Sequence, residues 1–209
     1  MKKKNFCIVT EPLGKSGVST TLSLVQIVKN LSSKIYLITG EEGCNNTEIR
    51  KNTTIYCLKN IKSIKITGRL LKNLKQQIEI SRLLFRIRHN IDTIIFFIGG
   101  EDLFIPSLMA KLLRKDLIIV IAGFPAKNRK IIHDPLFLVT PFLSRIVLHL
   151  SNKIIIYSHS IIKERNFERY KKKIIVQNRH YLNINKFFSK KSIEKRTKIG
   201  FVGSLTELK

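Results

Sequence analysis

Three stretches of this 209-residue chain carry residue types suited to holding an anion or a sugar hydroxyl. In the first, Gly14-Lys15-Ser16-Gly17-Val18-Ser19-Thr20 follows an apolar run and opens a helical pattern. Glycines there let backbone N–H groups and the positive end of a helix face an anion. A Walker A loop would need another glycine where Val9 stands, so a nucleoside triphosphatase is disfavoured. The plain alternative is an ordinary strand-to-helix turn. In the second, Gly99-Gly100-Glu101-Asp102 closes another apolar run. Its glycines admit a close ligand and Glu101 can accept hydrogen bonds from sugar hydroxyls, unless Glu101 and Asp102 simply start a helix. The third is Gln177-Asn178-Arg179-His180-Tyr181, where Arg179 suits a phosphate and His180 an acceptor hydroxyl or phosphate. None of the five histidines forms a His-x3-His pair, and no Ser/His/Asp or Cys/His set can be assembled, so no metal and no cofactor are expected.

The elements that must position these stretches are legible as alternation. Short β-branched runs at 6–10, 34–39, 54–58, 93–98, 117–122, 153–157 and 173–176 alternate with helix-period segments. That pattern predicts an α/β fold, a Rossmann-like, mainly parallel sheet with helices on both faces, and near-continuous apolarity predicts strands buried on both sides. All three stretches then fall at the carboxyl ends of strands, where open α/β sheets hold ligands. Val18, Leu22, Val25 and Val28 predict one core-facing helix. A second is predicted from Leu71, Leu74, Ile78, Leu84 and Ile87, with Lys72, Lys75, Arg82 and Arg86 on its other faces. The segment 41–52, with Gly43, Asn45, Asn46 and Asn52 and little apolar content, is expected to be a loop. Cys7, Cys44 and Cys57 form an odd set without a Cys-x-x-Cys pair, suggesting neither a disulfide framework nor a zinc site and fitting a reducing cytosol.

Composition bounds the partners. Lysine and arginine number 39 against 14 acidic residues, a formal charge of +25, which points to nucleic acid, an anionic membrane or phosphorylated substrates. An AT-rich genome also favours Lys, Ile and Asn, which weakens charge as functional evidence. No tryptophan and no nucleic-acid motif are present, so nucleic acid is the least favoured of the three. The segment 131–150, apolar with basic edges, suits a membrane interface or, at least as well, a helix or helix pair packed on the sheet; Pro135 and Pro141 oppose one long amphipathic helix. The opening Lys2-Lys3-Lys4 with its short apolar run falls short of a signal peptide, and no uninterrupted apolar stretch can span a bilayer. Near the end, 188–198 turns polar before Ile199-Gly200-Phe201-Val202-Gly203 begins a fresh strand and glycine turn. The expected organisation is a domain over 1–190, a linker over 191–198, and the first strand of a truncated nucleotide-sugar-binding domain over 199–209.

Four local patterns agree in order with one family: the glycine loop after the first strand, Phe96-Phe97-Ile98-Gly99-Gly100, the strand Ser151 to Ser158, and Ile199 to Lys209. Together they resemble family 4 glycosyltransferases of the two-Rossmann (GT-B) type, in particular archaeal members, over essentially the whole chain. The family's Gly-Arg-Leu, then Lys-Gly, pattern contacts the donor diphosphate; here Gly203 and Lys209 match and Ser204 replaces the arginine. The family's histidine after the fifth strand is replaced by the Ala122-Gly123-Phe124-Pro125 context, and its paired glutamates have no counterpart before Lys209.

The resemblance implies retaining hexosyl transfer from a nucleotide-diphosphate sugar to a glycan or lipid-linked acceptor, in glycan biosynthesis. The setting implied is cytoplasmic, with peripheral contact at the inner face of the cell membrane. Gly14, Lys15, Ser16, Gly17, Gly99, Gly100, Glu101, Arg179 and His180 would face acceptor or donor. Without a carboxy-terminal domain, little or no turnover is expected. The rivals are a non-catalytic basic module that binds anionic lipid or nucleic acid, and a phosphate-binding α/β enzyme using the first glycine loop.

Overall fold

The structure is a computed structural model that describes residues 3–11, 15–59, 66–121 and 136–177. Seven strands, all parallel to their neighbours, form one sheet: β1 Lys4–Val9, β2 Ser32–Gly40, β3 Thr54–Leu58, β4 Thr93–Phe97, β5 Asp116–Ile121, β6 Lys153–Ile156 and β7 Ile174–Val176. Their order across the sheet is β3-β2-β1-β4-β5-β6-β7. The expected α/β, Rossmann-like parallel architecture is therefore present, with every predicted strand in place.

Period-two alternation divides the core between two faces. Cys7, Val9, Ile94, Phe96, Ile119 and Ile121 point to one side. There they meet helices α4 (Ile66–Arg86), α5 (Phe104–Leu112), α6 (Leu136–Leu150) and α7 (Ser160–Glu164). Ile8, Leu37, Ile95, Phe97 and Val120 point to the other, against α1 (Lys15–Lys29) and α3 (Thr47–Asn52). Both faces being covered is what allows the strands to be apolar throughout.

Four expectations change. Residues 41–52 hold two short helices, α2 (Glu41–Cys44) and α3, instead of a loop. Asn46 caps α3, its side chain accepting from the Ile49 N–H at 2.9 Å; turn-forming residues that suggested a loop are also helix-capping residues. Second, Cys44 and Cys57 are joined by a disulfide, correcting the expectation that no cysteines pair. Spacing along the chain cannot show that Cys44, at the end of α2, lies beside the neighbouring strand β3. The pairing also removes the cysteine argument for a reducing compartment. Third, α4 buries Gln77, Ile80, Ser81 and Leu84, and Ile87 just beyond it is also buried, while Leu71, Leu74 and Ile78 are exposed, so three of the five residues of the predicted stripe face outward. Gln77 earns its buried place by accepting the Ile105 N–H at the unpaired start of α5, at 2.9 Å. Fourth, one helix, α6, runs through Pro141, with Val147 and Leu148 in the core. The expected linker and second domain lie outside the described residues.

Candidate functional site

The strand order reverses at β1, whose neighbours are β2 and β4, so the connections leaving β1 and β4 diverge to opposite faces and leave a crevice at their carboxyl ends. Three segments meet there. From β1 come Thr10 and Glu11, leading to the first turn of α1, which contains Lys15, Ser16 and Gly17. From β2 comes Thr39, whose hydroxyl accepts from that of Thr10 at 2.8 Å in a fully buried pair. From β4 comes the turn 98–102.

That turn is unusual in its backbone. Ile98 and Gly99 both adopt left-handed conformations, with φ of 52° and 78°. A β-branched residue in that region is strained, and such strain concentrates at functional turns. A side chain at Gly99 would collide with that of Glu11, and one at Gly100 would come within 2.5 Å of the Phe96 Cβ. The close approach that these glycines permit is thus made first by Glu11, whose N–H also donates to the Ile98 carbonyl at 3.2 Å. Sequence reasoning passed over Glu11; its position directly after a strand at the ligand edge was the available signal.

Glu101 is buried, and both of its carboxylate oxygens accept from the Arg165 guanidinium, at 2.6 and 3.2 Å. Arg165 reaches it from just beyond α7. The role foreseen for Glu101 toward sugar hydroxyls therefore competes with a bidentate internal ion pair. Asp102 is buried beside it, its N–H donating to the Gly99 carbonyl in a 3-10 turn over Gly100–Asp102.

Next to the crevice, on the α1 side of the sheet, lies a cavity of about 360 Å³. Its apolar floor includes Phe97 and Ile155, while Ser19, Thr20, Tyr157 and Gln177 supply polar groups around it. Burial pushes the Tyr157 phenol pKa up from its ordinary value, keeping it a neutral hydroxyl. Beyond the end of β6, the Ser158 and Ser160 hydroxyls lie 2.9 Å apart on an exposed turn. No cluster of potential metal ligands occurs among the described residues.

Of the residues singled out from sequence, Gly17, Gly99, Gly100 and Glu101 are brought to one edge, together with the backbone of Lys15 and Ser16. Gly14, Arg179, His180, Gly203 and Lys209 lie outside the described residues; β7, which leads toward Arg179, ends at this same edge.

No protein-family model matches the chain, and no curated protein sequence matches it significantly. Solved structures do resemble it. A UDP-N-acetylglucosamine 2-epimerase has a TM-score of 0.58 at 12% identity, over 84% of this chain and 48% of its own. The UDP-GlcNAc 2-epimerase from Methanocaldococcus jannaschii has a TM-score of 0.55 at 15% identity, over 82% and 45%. The glycotransferase of kitacinnamycin has a TM-score of 0.53 at 9% identity, over 83% and 51%. This chain spans about half the length of each, or less. At such identities the likeness establishes a fold: a Rossmann-like unit of the GT-B kind.

Proposed function

We propose that this chain forms the acceptor-side domain of a nucleotide-sugar-dependent glycosyltransferase of GT-B architecture, of the family 4 type. The observation that carries this reading is the crevice at the β1/β4 switch point, where the start of α1, Glu11 and the Gly99-Gly100 turn converge beside a largely apolar cavity to which Ser19, Thr20, Tyr157 and Gln177 add polar groups. Such a site suits a ligand that combines hydroxyl groups with an apolar portion.

Glycosyl transfer needs few covalent participants from the protein. It needs the acceptor hydroxyl held against the anomeric carbon, and charge stabilisation for the departing diphosphate. The crevice supplies the first: exposed backbone, the Glu11 carboxylate and the neighbouring hydroxyls orient a glycan or lipid-linked acceptor. The second belongs to a facing Rossmann unit, where the resemblance assigns Gly203 and Lys209 to the donor diphosphate. The donor is a nucleotide-diphosphate sugar and the anomeric configuration is retained, with the enzyme working at the inner face of the cell membrane.

The test is turnover of a panel of nucleotide-diphosphate sugars, each incubated with glycan and lipid-linked acceptors, by this chain alone and by this chain with a GT-B carboxy-terminal domain supplied. Sugar transfer only in the presence of the second domain is expected. Inversion at C2 of the donor sugar without transfer would replace this reading with an epimerase, the activity named for two of the similar structures. Robust transfer by the chain alone would show that the donor site is complete within it.

A further inference from the structure

Eleven large apolar side chains are exposed among the described residues, and eight of them lie on α4, α5 and α6. These helices pack side by side in one layer. Along the outer side of α4, Leu71, Lys75, Ile78, Arg82 and Phe85 are all exposed and step by four, three, four and three residues, so they form a single stripe. The stripe is about 21 Å long at 1.5 Å per residue, and it alternates apolar with basic side chains. Leu74 flanks it, and the Arg88 guanidinium lies over the Phe85 ring, 4.1 Å from its centroid.

Charge in this layer is predominantly positive. Helix α4 contains Arg69, Lys72, Lys75, Arg82 and Arg86 against a single acid, Glu79. Helices α5 and α6 add Lys111 and Arg145 and no acid. On the opposite layer, α1, α2 and α3 together carry Lys15, Lys29, Arg50 and Lys51 against Glu41, Glu42 and Glu48, a near balance, and Ile27 is the one exposed large apolar residue of its described helices.

From this arrangement we infer that the outer face of α4, continued by α5 and α6, docks on an anionic lipid bilayer. Leucine, isoleucine and phenylalanine enter the headgroup boundary while lysine and arginine pair with lipid phosphates. A second copy is a poor occupant, because a symmetric contact would set this cationic face against itself. The chain's own residues 178–209 are no better suited, being strongly basic with only Glu194 and Glu207 as acids. The face is centred on α4 and takes in only the outer side of the segment expected over 131–150, whose Val147 and Leu148 are core. Helix α4 leads from the carboxyl end of β3 to the amino end of β4, so its Leu71 and Leu74 end lies at the edge that bears the crevice. Only the purpose of docking, delivery of a lipid-linked acceptor, rests on the glycosyltransferase reading.

The absence of tryptophan makes a clean test possible. Ile78→Trp on the stripe and Leu31→Trp in the turn after α1 each place a single fluorophore in the full chain. Vesicles of phosphatidylcholine alone, and of phosphatidylcholine with phosphatidylglycerol, are added without any nucleotide sugar, so the outcome is independent of catalysis. The expected result is a blue shift for Ile78→Trp with the anionic vesicles, none for Leu31→Trp, and weaker binding at high salt. Lys75→Glu with Arg82→Glu in the Ile78→Trp background is expected to weaken vesicle binding by roughly tenfold or more. Circular dichroism confirms that each variant is folded. An unshifted Ile78→Trp, equal shifts at both positions, or equal response to neutral vesicles would overturn the proposal. So would emission already blue-shifted and unchanged by lipid, which would mean that protein covers this face. Tight RNA binding through Lys75 and Arg82 without a vesicle response would instead assign the face to nucleic acid.

Discussion

Arg165 and Glu101 are 64 positions apart in the chain yet form a two-pronged ion pair at the crevice, with side chains 13% and 5% exposed. Removing one member leaves a buried charge without its partner, which is typically more damaging than the pair is stabilising. Arg165→Ala is therefore expected to cost about 3 to 5 kcal/mol in urea denaturation, and Arg165→Met with Glu101→Gln to cost clearly less. Equal losses would show that the guanidinium acts through packing alone. The sequence marked Glu101 as notable because an acid follows two glycines after a strand, but nothing in its neighbourhood announced Arg165. Glu11 went unmarked for a related reason: its importance comes from Gly99, a contact created by adjacency of β1 and β4.

At the level of elements, the strands were legible because parallel strands covered on both faces read as unbroken β-branched runs. Helices α2 and α3, at four and six residues, are too short to display an apolar stripe, and their glycine and asparagines imitate a loop. Helix α4 was found, but its apolar residues occupy more than one face and periodicity alone could not say which face is buried. The Cys44–Cys57 link ties α2 to β3 and closes a short loop. Loops near this size restrict the unfolded chain by about 3 kcal/mol, so Cys57→Ser or reduction is expected to lower stability by about that amount. Thiol titration checks the pairing independently. Cys7 is fully buried, and burial pushes its thiol pKa up, so native protein should offer no reactive thiol. Unfolding without reductant should release one, and unfolding with reductant all three. Three thiols in unreduced, unfolded protein would contradict the disulfide.

For the whole molecule, strand order was the property that sequence patterning left open and that matters most. Placing β1 between β2 and β4 puts the reversal of connectivity, and with it the crevice, beside the two glycine-bearing turns. The basic composition, ambiguous as a total, resolves into a cationic helical layer next to a more balanced one. In the proposed function, the crevice holds the sugar acceptor. The most direct test is backbone amide NMR during titration with glycan acceptors and nucleotide-diphosphate sugars. Acceptor binding is expected to shift the amides of Glu11, Gly17, Ile98, Gly99 and Tyr157. Shifts confined to the opposite edge of the sheet, around Lys4, Lys29 and Asp116, would contradict it.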